Sequence, residues 1–138
     1  MSWIEVAKRK EVFSKIINQT QKALMGKVEK TDKNNNGNAE LTKIYDNETE
    51  QLLMEYMDED ENGVCETRVV YDDNGQKLEV SKKDNSNGRT LESTKYVDGK
   101  EAYKSYYKYN EKGEPEITTY DLSNFFDKVA SDIRSHFQ

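Results

Sequence analysis

Turn signals at regular spacing constrain the fold of this chain more than any other feature. From residue 39 onward, clusters of Asp, Asn and Gly recur roughly every 11–14 residues. They lie at 46–47, 60–63, 72–75, 84–88, 98–99 and 110–113. Asn, Asp and Gly favour turns, and short strands separated by such signals are typical of an antiparallel meander. The sequence therefore predicts an antiparallel sheet of about six strands over residues 39–120.

A weak repeat supports this interpretation. A Tyr or Met often stands just before a turn, and the positions are Tyr45, Met57, Tyr71, Tyr96 and Tyr109. The repeat of about 13 residues resembles the strand repeats of tyrosine-aspartate repeat proteins. The resemblance implies strands and turns, and no function is carried over from it.

Alternation within the strands predicts one buried and one wet face. Between residues 76 and 82, Leu78 and Val80 face one way, and Glu79 and Ser81 face the other. In the strand over 101–109, alternation sets Ala102 and Tyr106 opposite the remaining tyrosines. Those tyrosines are Tyr103, Tyr107 and Tyr109.

Two amphipathic helices are predicted at the ends of the meander. The first spans residues 3–25, with a capping box of Ser2 and Glu5 and with Gly26 as a left-handed C-terminal cap. Its predicted apolar face includes the residues Val6, Phe13, Ile16, Ile17, Thr20 and Leu24. The second spans 122–137, where apolar residues recur at helical spacing. A polar linker is predicted over 28–38.

The expected architecture is a single α+β domain over residues 1–138. Both helices pack on one face of the sheet, because both helices and the sheet need an apolar surface covered. A chain with 33% hydrophobic and 35% charged residues predicts a thin core. With one cysteine, no signal-peptide pattern and no long apolar run, we expect a cytoplasmic protein that does not enter a membrane.

Catalytic groups are scarce. The chain has one histidine, His136, near the C-terminus, and one cysteine, Cys65, in a predicted strand. These two residues cannot complete a closed zinc site, and no Gly-rich phosphate loop occurs. We therefore expect no enzymatic activity, no catalytic residues, no cofactor and no metal ligands.

Two segments nevertheless match the first six positions of an EF-hand calcium loop and have an acid at the ninth. The matching sets are Asp58, Asp60, Asn62, Gly63 and Glu66, and Asp32, Asn34, Asn36, Gly37 and Glu40. An EF-hand loop also needs a bidentate acid at its twelfth position. Val69 and Lys43 occupy that position here, so calcium binding is an alternative and not the expectation.

Charge is distributed unevenly along the chain. The formal net charge is −6. Residues 1–27 carry six basic and two acidic side chains, whereas residues 39–73 carry twelve acids against Lys43 and Arg68. The first strands of the sheet therefore hold the excess of acid, which speeds and orients association with basic partners. The same charge argues against direct nucleic-acid binding.

We expect a non-enzymatic protein that binds a basic protein through an acidic hairpin and the outer sheet face, as a monomer or a homodimer. Its most concrete version is a bacterial or phage inhibitor: an immunity protein that neutralises a toxin, or an anti-defence protein. The predicted partner-binding residues are Glu55, Asp58, Glu59, Asp60, Glu61, Glu66, Asp72, Asp73, Tyr103, Tyr107 and Tyr109.

Three alternatives come from other functional classes. A small acidic secretion chaperone or adaptor would show an exposed apolar groove and a stable homodimer. A calcium-modulated interaction module would use the Asp-rich turns. An enzyme with a carboxylate-only site would need a deep acidic pocket.

Overall fold

The computed structural model describes residues 3–60 and 63–122. Within these ranges the chain forms one helix followed by eight strands. The elements are α1 (Trp3–Leu24), β1 (Lys27–Thr31), β2 (Leu41–Tyr45), β3 (Leu52–Met57), β4 (Thr67–Tyr71), β5 (Lys77–Lys83), β6 (Thr90–Val97), β7 (Lys100–Tyr109) and β8 (Pro115–Asp121). All eight strands form one antiparallel sheet, and their order in the sheet is their order in the chain.

The predicted α+β meander is confirmed, but the prediction of six strands is wrong. Each of the six turn signals falls on a connection between consecutive strands, which gives β2 to β8. The eighth strand, β1, occupies part of the predicted linker over 28–38. It is an exposed edge strand that pairs with β2 through its backbone. Apolar patterning cannot reveal such a strand, because it buries little.

Asp and Asn side chains hold the hairpin loops by accepting backbone N–H groups. Asp72 Oδ1 accepts from Asn74 and Gln76, each at 2.9 Å. In the Asp98-Gly99 connection both residues have positive φ, 52° and 78°, as the tightest hairpin turn requires. The turn prediction succeeded because these interactions are local in sequence.

Helix α1 packs on one side of the sheet, against β3 to β6. Among its described side chains the buried row consists of Val12, Ile16, Gln19 and Ala23. The sequence placed Phe13, Ile17 and Leu24 on the buried face, but these side chains are exposed. The predicted buried face of the helix is therefore wrong: it is rotated about the helix axis by about one residue from the face that the structure buries. Opposite the buried row, the core of the sheet consists of Leu53, Met54, Val70 and Leu78.

Four β-bulges shift the faces of the strands. The register skips Leu53, Leu78, Leu91 and Ala102, each near the start of its strand. A bulge places an extra residue in one strand and interrupts simple alternation. Leu78 lies in the core, and its neighbour Glu79 pairs with the core residue Val70, so both lie on the α1 side. The predicted outward position of Glu79 is therefore wrong.

Gly26 is needed for close packing and not for a left-handed cap. Its φ lies outside the positive region that the predicted cap required. A Cβ at this position would lie 2.5 Å from the carbonyl oxygen of Tyr45 and 2.8 Å from Ile44 Cγ2. The glycine thus lets the chain turn from α1 into β1 directly against β2. Ser2 of the predicted capping pair, the side chain of Glu5, and all of the predicted second helix after Leu122 lie outside what the structure describes.

Candidate functional site

Alternate connections of a meander lie at the same end of its sheet. The connections 32–40, 58–66, 84–89 and 110–114 share one end, which we call the long-loop end. The connections 46–51, 72–76 and 98–99 share the other. The acidic hairpin predicted from the sequence is the β3–β4 connection, residues 58–66, which we call the Asp58 loop.

Carboxylates organise the Asp58 loop. Asp58 is only 3% exposed, and its Oδ2 accepts the N–H of Gly63 at 2.9 Å. Glu66 accepts the N–H groups of Glu59 at 2.9 Å and of Asp60 at 3.4 Å. One oxygen each from Asp58, Asp60 and Glu66 lie within 4.8 Å of one another. Three negatively charged groups therefore converge on one point, in a loop whose sequence contains no Lys or Arg.

The β1–β2 connection, residues 32–40, repeats this construction and is called the Asp32 loop. Asp32 Oδ2 accepts the N–H of Gly37 at 2.9 Å, and Glu40 accepts the N–H of Lys33 at 3.0 Å. The two loops are adjacent, because Asp58 donates its backbone N–H to the carbonyl oxygen of Glu40 at 2.9 Å. A hollow of about 260 Å³ lies between them.

The neighbouring β5–β6 connection also contacts the Asp58 loop. The side-chain amide of Asn85 donates a hydrogen bond to Asp60 Oδ2. Gly88 approaches Val64, since a Cβ on Gly88 would lie 3.6 Å from Val64 Cγ1. Three consecutive loops of the long-loop end therefore form one continuous surface.

Two acids of the outer sheet face, Glu55 and Glu92, have a hydroxyl or basic partners instead. Glu92 lies 3.8 Å from Lys82 Nζ and 3.9 Å from Lys104 Nζ. Tyr71 donates its hydroxyl to Glu55. Burial, followed by this hydrogen bond and the charge of Glu55, raises the pKa of Tyr71 above its usual value. On the outer face the charge of Glu92 is therefore opposed by two lysines.

The structure separates the predicted partner-binding residues into distinct regions. Asp58, Glu59, Asp60 and Glu66 lie together in the Asp58 loop, and Glu61 lies outside the described residues. Asp72 and Asp73 lie at the opposite end of the sheet, where Asp73 contacts Lys22 at 3.4 Å. Glu55 lies on the outer face.

The three predicted tyrosines lie on the α1 side of β7 and not on the outer face. Tyr103 is buried, and the guanidinium of Arg9 lies 4.7 Å from its ring centre. Tyr107 and Tyr109 share this side, because they follow Tyr103 at intervals of two. Tyr109 donates its hydroxyl to the carbonyl oxygen of Thr90 at 2.8 Å. The exposed tyrosines of the outer face are Tyr106 and Tyr120, whose rings meet edge to face.

Cys65 lies in the Asp58 loop. The sequence-based prediction that it lies in a strand is therefore wrong. Burial, reinforced by the nearby charge of Asp58, raises the pKa of the Cys65 thiol. A reactive cysteine needs a lowered pKa, so this environment works against a nucleophilic role. His136 lies outside the described residues.

Comparison with known families and proteins finds no matching family model and no similar curated protein. Among residues 3–60 and 63–122, no helix combines the length and the apolar character that a membrane span requires. The geometry and charge of the long-loop end are therefore the features that bear on function.

Proposed function

We propose that this is a non-enzymatic binding protein that docks a basic protein partner on its long-loop end. The observation that carries this proposal is the Asp58 loop, which has five acids and no basic residue in nine positions. The adjacent Asp32 loop extends the acidic surface with Asp32 and Glu40. Such a concentration of one charge attracts and orients a partner of opposite charge.

The described part of the loop is also organised before any partner arrives. Buried Asp58 and half-buried Glu66 accept backbone N–H groups across the loop. Glu59 and Asp60 remain exposed on this held backbone. A loop that is already ordered loses less conformational entropy on binding, which favours affinity.

The concrete version of the proposal is the inhibitor predicted from the sequence: an immunity protein against a toxin, or an anti-defence protein, in a bacterium or phage. An acidic surface suits this role because nucleases and other nucleic-acid-binding proteins present basic surfaces. The inhibitor would then cover the surface that its target uses to bind phosphate groups.

The proposal is tested by quantitative affinity capture from lysate of the organism that carries the gene. The loop variant is Glu59→Lys with Asp60→Lys, and the control variant is Glu48→Lys with Glu111→Lys. All four residues are exposed, and both variants change the net charge equally. Glu111 lies at the long-loop end, so the control also tests whether the Asp58 loop itself is required.

We expect wild type and control to retain the same basic protein and the loop variant to lose it. An exposed ion pair contributes about 0.2–1 kcal/mol, and charge reversal adds repulsion, so affinity should fall by about tenfold or more. Equal capture by the loop variant and the control would refute the docking surface. Capture of neutral or acidic proteins alone would refute the partner class.

A further inference from the structure

Asp58 carries a buried oxygen atom that its surroundings do not satisfy. Its Oδ2 accepts the N–H of Gly63, whereas Oδ1 is buried and has no hydrogen-bond partner among the described residues. Burying a charged oxygen without a partner is costly, and such groups are normally paired or bound to metal. In the Asp58 loop the nearest charged groups in sequence are further acids, which increase the cost.

We infer that the Asp58 loop is a calcium site, with Asp58, Asp60 and Glu66 as carboxylate ligands. One oxygen from each residue lies within 4.8 Å of the other two. Calcium binds oxygen at about 2.3–2.6 Å, so two ligands on opposite sides of the ion are about 5 Å apart. One ion can therefore contact all three carboxylates, and its positive charge beside Asp58 would offset the cost of the unpartnered Oδ1.

The ligand set favours calcium over magnesium and transition metals. All three groups are hard carboxylate oxygens, which suit calcium and magnesium and not softer ions. Magnesium needs nearly ideal octahedral geometry at short distances, whereas calcium accepts six to eight oxygens in flexible arrangements. Three carboxylates that range from buried Asp58 to exposed Asp60 meet the looser requirement.

The hairpin explains why the twelfth position of the EF-hand pattern is not needed. In an EF-hand the loop leads into a helix, and the twelfth residue completes the site. Here the loop ends at Glu66, and β4 begins at Thr67. The ninth residue therefore supplies the closing carboxylate, and Val69 at the twelfth position is buried in the sheet.

The Asp32 loop is an internal comparison. Both oxygens of Asp32 have partners, because Oδ1 accepts the N–H of Asn36 at 3.3 Å and Oδ2 that of Gly37. Asn34 stands at the position that corresponds to Asp60. At the three ligand positions the Asp32 loop thus has one carboxylate fewer, and both oxygens of Asp32 have partners. We assign calcium to the Asp58 loop alone.

The test is a calorimetric titration of the full chain with CaCl₂ in 150 mM NaCl, with MgCl₂ as the comparison. We expect one site with a Kd on the order of 10⁻⁴ M, and binding of Mg²⁺ weaker by about tenfold or more. Amide chemical shifts recorded during the titration should move in residues 58–66. No partner is present, so failure here leaves the docking proposal unaffected.

Variants separate a site from general charge screening. Asp60→Asn, at an exposed position, should weaken calcium binding by about tenfold or more. Asp58→Asn should do the same, with thermal unfolding of the calcium-free protein as the check that it folds. Asp32→Asn should leave the affinity unchanged. Absence of binding at 5 mM CaCl₂, or equal weakening by Asp32→Asn and Asp60→Asn, would overturn the inference.

Discussion

Replacing Glu79 by Gln should destabilise the protein strongly, although the two side chains have nearly the same volume. The carboxylate of Glu79 is only 7% exposed and lies on the α1 side of the sheet. It pairs with Arg68, which is 25% exposed, and lies 3.6 Å from Lys95 Nζ, which is 17% exposed. The hydroxyl of Ser81 donates to it at 3.0 Å.

The magnitude follows from what the substitution leaves behind. Gln keeps an acceptor for Ser81 but removes the negative charge between two largely buried cations. Breaking a buried ion pair by removing one partner costs about 3–5 kcal/mol. Because Gln preserves packing, we expect the lower end, about 3 kcal/mol. Domains of this kind have total stabilities of about 5–15 kcal/mol, so the loss is readily measured.

Urea denaturation followed by far-UV circular dichroism measures this loss. The matched control is Glu92→Gln on the outer face, where Glu92 is 26% exposed and its partners Lys82 and Lys104 are 64% and 32% exposed. Solvent screens such pairs, so the control should lose only about 0–1 kcal/mol. If Glu79→Gln and Glu92→Gln have equal effects, the assignment of Glu79 to the buried side is wrong.

Three further predictions concern the core, the α1–β1 connection and pH. Met54→Ala should lower the free energy of unfolding by about 2–5 kcal/mol in urea denaturation, because the side chain is fully buried. Gly26→Ala should cost about 1–3 kcal/mol, and move the chemical shift of the Tyr45 carbonyl carbon, because the new methyl group would meet the Tyr45 oxygen. Because the pKa of Tyr71 is raised, the folded protein keeps the hydroxyl proton of Tyr71 that the unfolded chain releases at about pH 10. Stability from this group is complete below about pH 10 and is lost as pH rises toward the folded pKa, so Tyr71→Phe should flatten the alkaline fall in urea midpoint. Identical slopes for wild type and Tyr71→Phe would contradict this.

The sequence revealed the features that depend on local chemistry. The hairpin connections follow from Asp, Asn and Gly, as at Asp72 and at Asp98-Gly99, where the side chains or the backbone conformation act within a few residues. The existence and length of α1 follow from helical periodicity. Its exact rotation does not, because Val12 and Phe13 are both apolar and only packing against the sheet decides between them.

The faces of the strands could not be predicted, because they depend on bulges. At a bulge, the side chains before the skipped residue change faces relative to those after it. The skipped residues here, such as Leu78 and Ala102, are ordinary apolar residues, so the sequence does not reveal where a bulge lies. Glu79 was therefore assigned to solvent and Tyr103 to the outer face, whereas both are buried on the α1 side.

The candidate site was partly visible in the sequence. The spacing of Asp58, Asp60 and Glu66 is apparent in the sequence, but the EF-hand pattern describes a loop that leads into a helix and requires an acid at the twelfth position. Only the structure shows β4 beginning directly after the ninth residue, and an oxygen of Asp58 that is buried without a hydrogen-bond partner in the described part of the chain. The contact between the Asp58 and Asp32 loops depends on strand order, which local sequence does not encode.

The central claim is that the long-loop end is the docking surface. Hydrogen exchange of the protein, measured with and without its captured basic partner, addresses this most directly. We predict slower amide exchange in residues 58–66 and in the adjacent connections 32–40 and 84–89, with no change in 72–76 and 98–99 at the opposite end. Protection confined to the opposite end, or to Tyr106 and Tyr120 on the outer face, would contradict the account.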